Sequence, residues 1–135
     1  MVDAVLVESA IHTGEELVRR LGAAHLDVRA AFWLYLPESE TWRLYIASPL
    51  VDSKGSKWMY ERIREVIVRF ALDLSLREVS AVGPSERMVK LLRRAISTGP
   101  DISRIRFSRN VIDGTFVEDA YIYRMLSAPR PERHR

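Results

Sequence analysis

The chain has 135 residues, of which 47% are hydrophobic and 29% charged, with a formal net charge of +3 and no cysteine. That length fits one domain able to bury a core unaided, and the missing cysteines exclude disulfides, thiol catalysis, zinc fingers and iron–sulfur clusters. No apolar run is long enough for a transmembrane helix, and Met1–Val7 lacks the basic start of a signal peptide, so the cytoplasm is the expected location.

In chain order, Asp3 can cap a helix running to about Leu21, with Gly22 as its stop. Leu6, Ala10, Ile11, Leu17, Val18 and Leu21 recur at helical spacing. Gly14 lies on the same stripe, where it costs about 1 kcal/mol relative to Ala, so close packing on a sheet is expected there. Ala30–Leu36 and Trp42–Ser48 read as two strands joined by the turn residues Pro37–Thr41. Pairing Leu36 with Trp42 sets Leu34 against Leu44 and Phe32 against Ile46 on an aliphatic side. The other side then holds Tyr35 opposite Arg43, Trp33 opposite Tyr45, and Ala31 opposite Ala47. Pro49–Gly55 reads as a loop, and Ser56–Leu72 as a helix with Met59, Ile63, Val66, Ile67 and Phe70 inward. Glu78–Val82 is a short strand. Gly83-Pro84 opens a further helix with Met88, Leu91, Leu92, Ala95 and Ile96 inward, ended by Gly99-Pro100.

The last structured stretch, Ser103–Met125, contains Asp113-Gly114, which suits a two-residue type I′ turn needing positive φ twice. The turn sets the register: Ile112 faces Thr115, Arg109 faces Glu118, Phe107 faces Ala120 and Ile105 faces Ile122. Ser108 with Asp119, Arg106 with Tyr121 and Arg104 with Tyr123 occupy the other side. The tail Ala128–Arg135 holds three of the eighteen arginines and is expected to be disordered. Residues 1–127 therefore form one α+β domain, ordered α-ββ-α-β-α-ββ, with a five-stranded, mostly antiparallel sheet and three helices on its aliphatic face.

On this reading the outer sheet face carries Trp33, Tyr35, Arg43, Tyr45, Arg104, Arg106, Tyr121 and Tyr123. Aromatics with arginine are what protein interfaces concentrate, so burial against a second copy, a homodimer, is the leading expectation. The same residues could stack bases and hold phosphates of a single-stranded nucleic acid, although no RNA-recognition signature is present. Arg109 and Glu118, with Asp119 nearby, form a polar group that reads as a structural ion pair or, in a third reading, as an acid/base site at the sheet edge. An alternative reading of Glu118-Asp119 is a β-bulge, which would rearrange the facings beyond it. Asp52–Lys57 is an ordinary helix start without Walker spacing, and His12 with Glu15 or Glu16 lacks the third ligand zinc requires. No cofactor motif, metal site, catalytic triad or membrane segment is read, and the balance leans away from an enzyme.

The runs Ala31-Phe-Trp-Leu-Tyr-Leu-Pro-Glu38 and Trp42-Arg-Leu-Tyr-Ile-Ala-Ser-Pro-Leu-Val-Asp52, with Ile102-Ser-Arg-Ile-Arg-Phe-Ser108 and Glu118-Asp-Ala-Tyr-Ile-Tyr123, resemble a family of small uncharacterised bacterial proteins of accessory or mobile-genome type. The resemblance implies a stand-alone domain and carries over no catalytic residue.

Overall fold

A computed structural model describes residues 5–127. The elements are α1 (Glu8–Ala23), β1 (Ala30–Leu36), β2 (Thr41–Ala47), α2 (Pro49–Lys54), α3 (Ser56–Arg69), β3 (Val79–Val82), α4 (Arg87–Ala95), β4 (Ile105–Ile112) and β5 (Thr115–Met125). The sheet is open, in the order β3-β2-β1-β5-β4. Only β2 and β3 run parallel; the other neighbours are antiparallel. The fold is α+β with a five-stranded, mostly antiparallel sheet and three long helices. The expected Asp3 cap and the Ala128–Arg135 tail lie outside the described residues. No helix among the described residues is long and apolar enough to cross a membrane.

β1, Ala-Ala-Phe-Trp-Leu-Tyr-Leu, is the central strand, and its first five residues are buried. An apolar run without alternation suits a strand covered on both faces. The helices divide accordingly. α1 and α3 pack on the side of Ala31, Trp33, Leu44, Ile46 and Tyr123. α4 packs on the side of Ala30, Phe32, Ala47, Ile122 and Met125. This differs from three helices on one face, because each side of β1 is apolar and each needs cover.

The β1–β2 register also differs by one residue. Leu36 pairs with Thr41, Tyr35 with Trp42, Trp33 with Leu44 and Phe32 with Tyr45. Thr41 joins the strand, and Glu40 takes the left-handed conformation with φ 53°, so the loop has four residues rather than five. A shift of one residue moves every side chain of β2 to the opposite face. Trp42, Leu44 and Ile46 therefore share the Trp33 face, while Arg43 and Tyr45 share the Phe32 face.

The β4–β5 register is as read: Ile105–Ile122, Arg106–Tyr121, Phe107–Ala120, Ser108–Asp119 and Ile112–Thr115. Asp113 and Gly114 both have positive φ, as the type I′ turn requires. Arg109 interrupts the ladder, with φ 50°. Beyond it the ribbon exchanges faces. Ile112 and Val117 join the core of Ala120 and Ile122, although strict alternation would send Val111 and Phe116 there. Both strands lose step together, so the register survives.

Pro49–Lys54 is a helix, not a loop. Ser48 is fully buried, and its hydroxyl accepts from Leu50 N–H at 3.1 Å and donates to the Leu26 carbonyl at 2.8 Å. A serine cap followed by proline at the first helical position is a complete start signal. α1 starts at Glu8 and runs one residue beyond Gly22, and α4 starts at Arg87 after a turn at Pro84, capped by Glu86.

Gly14 is where α1 meets the sheet. A Cβ added there would sit 2.5 Å from the Tyr123 hydroxyl oxygen and 2.7 Å from Trp33 Nε1. Tyr123 cannot swing aside, because it accepts from Trp33 Nε1–H at 3.0 Å and donates to the Ile11 carbonyl. Gly14→Ala is expected to destabilise the protein by about 1–3 kcal/mol despite the better helix propensity of alanine. Gly22→Ala, with nothing within 4 Å of its Cβ, is expected to stabilise it by about 0.5–1 kcal/mol. Denaturant midpoints of the two variants check both signs.

Candidate functional site

The eight residues expected on one outer face do not form one patch. Trp33 and Tyr123 are 1% and 0% exposed, buried beneath α1 in the protein's own core. Burial pushes the Tyr123 phenol far up, against the opposing effect of the Trp33 hydrogen bond. Arg43 and Tyr45 lie on the opposite face. Arg43 donates to Ser80 Oγ at 2.9 Å and to the Val79 carbonyl at 3.1 Å. Tyr45 stacks on Phe32, with centroids 5.0 Å apart and planes 8° from parallel.

Arg104 is an exposed strap across the sheet. It grips both oxygens of Glu15 on α1, at 3.0 and 2.9 Å, and Arg19 adds a third contact at 3.0 Å. Burial alone would raise the Glu15 carboxyl, but the hydrogen bonds from Arg104 and Arg19 outweigh it and its pKa is lowered. Tyr121 lies half-buried beside this strap, its ring 5.4 Å edge-on from Tyr123.

The remaining residues gather at the open end of the sheet. Pairing between β1 and β5 stops at Leu34–Ala120, so the β4–β5 ribbon runs on without a neighbour. A groove of about 370 Å³ separates it from the end of the β1–β2 hairpin. Tyr35 and Trp42 line one wall; Ser108, Arg109, Glu118 and Asp119 line the other. The two rings lie 5.5 Å apart, tilted by 56°. Arg106 is held by Asp119 through two hydrogen bonds of 2.6 Å, with its guanidinium carbon 5.8 Å from the Trp42 ring centroid. Those hydrogen bonds raise the Arg106 pKa against the effect of its burial. Desolvation, then the negative charges of Glu40 and Glu118, raise the Tyr35 phenol.

Arg109 and Glu118 fall at the gap in the ladder and line the same groove, yet no ion pair joins them, and both are exposed. The expected ion pair at the core rim is therefore absent, because the positive φ of Arg109 turns this step of the ribbon away from the core. Two steps outward, past Asn110–Val117, Val111 and its partner Phe116 are 60% and 56% exposed. The structure thus assembles Tyr35, Arg106, Arg109, Glu118 and Asp119 with three residues the sequence reading missed, Trp42, Val111 and Phe116. The hairpin register already placed Val111 opposite Phe116; the exchange of faces had no signal in an arginine. No group of three His, Cys, Asp or Glu side chains among the described residues could hold a metal.

No family model, curated protein or solved structure matches this chain.

The strap gives a pH prediction. A carboxyl whose folded pKa is lowered stabilises the fold above its ordinary value of 4.5, and that contribution disappears as the pH falls through the folded value. Glu15→Gln is expected to lower the melting temperature by about 2–5 °C near neutral pH, with the gap from wild type closing as the pH falls below 4.5 and through the folded value. Melting curves across that range check it; a gap that persists in acid would mean the carboxylate charge is not what stabilises.

Proposed function

We propose that the chain is a non-enzymatic, cytoplasmic interaction module that self-associates through the exposed face of the β4–β5 ribbon and its groove. The observation that carries this is the arrangement of Arg109 and Glu118. They are opposite charges, adjacent, exposed and unpaired, flanked by the exposed apolar pair Val111–Phe116. A two-fold axis through this step would bring Arg109 of each copy to Glu118 of the other, and the same patch would serve on both sides. Tyr35 and Trp42 supply aromatic anchors of the kind interfaces concentrate, and Arg106 is already ordered by Asp119. This keeps the aromatic and arginine character expected of the interface and moves it from the sheet centre to its end. An open groove with an exposed carboxylate and arginine favours recognition over proton transfer.

Light scattering on the full chain tests it. Wild type is expected to be a dimer. Glu118→Arg and Arg109→Glu are each expected to weaken the dimer about 10-fold or more, since each places like charges in contact twice. An equimolar mixture of the two variants is expected to dimerise again, because both contacts become opposite in sign. A monomeric wild type, or single variants as dimeric as wild type, would sink the proposal.

A further inference from the structure

α4 presents a second surface, unlike the first in charge. Val89 and Leu92 form its buried side. Arg87, Lys90 and Arg94 stand on the opposite side at spacing i, i+3 and i+7, all exposed. At 1.5 Å per residue the row is about 10 Å long. Arg93 lies beside it, half-buried, with one N–H on the Pro84 carbonyl at 3.2 Å. With Ser85, Leu91 and Ser127 these four cations line a groove of about 660 Å³ in which no carboxylate takes part among the described residues. The acids nearby are occupied. The Glu86 carboxylate accepts from Met88 and Val89 N–H at 2.7 and 3.0 Å. Asp113 pairs with Arg94, but both are more than half exposed, and such a pair is readily exchanged for a phosphate.

We infer that this face of α4 binds the phosphodiester backbone of double-stranded nucleic acid. A row of cations along a straight helix neutralises successive phosphates rather than a single one. Among the described residues no aromatic side chain lines the groove, so unpaired bases have no platform to stack on, which favours a duplex over a single strand. Among the described residues that line the groove Leu91 alone is apolar, and it is part-buried, which offers an anionic membrane little to take up. The exposed large apolar side chains, Val5, Val7, Val68, Val111 and Phe116, belong to other segments. Residues 128–135 contain Arg130, Arg133 and Arg135 against one acid, so the sequence after Ser127 adds positive charge rather than a counter-charge. The inference shares no residue with the self-association face, and the two fail separately.

The test is fluorescence anisotropy with the full chain and a labelled DNA duplex of about 20 base pairs, long enough to present several phosphates per groove. For three phosphate contacts, affinity is expected to fall about 40-fold between about 50 and 200 mM salt. In Arg87→Ala/Lys90→Ala, alanine keeps the helix, and affinity at low salt is expected to drop about 10-fold, with the logarithmic salt slope smaller by about two. Arg64→Ala, at an exposed position of α3 outside both faces, is expected to bind as wild type. A duplex RNA of the same length is the second probe, and tighter binding to either duplex says which one the face prefers. No binding at low salt, a double variant that binds as wild type, or tighter binding to single strands or to phosphatidylserine vesicles would each overturn the inference.

Discussion

The hydroxyl of Tyr123 is the point at which the sheet and its first helix are tied together. It accepts from Trp33 on the central strand and donates to the Ile11 carbonyl on α1. Both partners are needed, because a buried phenol or indole without one costs more than the bond itself contributes. The contact requires α1 to lie almost on the rings, and Gly14 is the residue that permits it. From that height the rest follows. Leu17, Val18 and Leu21 reach the sheet, and Glu15 comes within range of Arg104.

The charges divide into compensated and uncompensated sets. On α1 and α3 some ions satisfy one another, as in Glu16–Arg20 and Arg62–Glu65. Phe70 carries the Arg20 guanidinium 4.0 Å above its ring. Exposed pairs of this type contribute little to stability. The α4 row and the Arg109–Glu118 step are different. One is a run of a single sign and the other an unjoined pair of opposite signs, so both leave charge facing outward.

The elements of this fold were largely legible, and the facings were not. Asp113-Gly114 fixed the last hairpin register because its turn admits one geometry. The first hairpin slipped by one residue because both faces of Ala30–Leu36 are apolar, so alternation could not choose between Thr41 and Trp42 as the partner of Leu36. That slip made a solvent face out of Trp33, which is core, and grouped it with Tyr45 from the other side. Ser48-Pro49 was a readable helix start whose product, at six residues, was too short to show periodicity. Arg109 was unreadable, since positive φ in an arginine is set by the packing of Ile112 and Val117 beyond it and not by its own side chain. The α4 row could be counted in the sequence, but its exposure depended on α4 standing alone on its face.

The tyrosine tie also has a timetable. Trp33 and Tyr123 are 90 residues apart, and Ile11 precedes Tyr123 by 112. A ribosome adding about 5–20 residues per second needs about 5–20 s to travel from Trp33 to Tyr123. Through that interval α1 and the Trp33 face of β1 exist without the strand that joins them, and β1 itself is an unpaired edge on one side. The growing chain thus carries an indole, an apolar strand and the apolar face of α1 before the strand that ties them together is made. Conditions that slow translation after residue 47, where the first hairpin is complete, would lengthen this exposure without altering the finished protein at all.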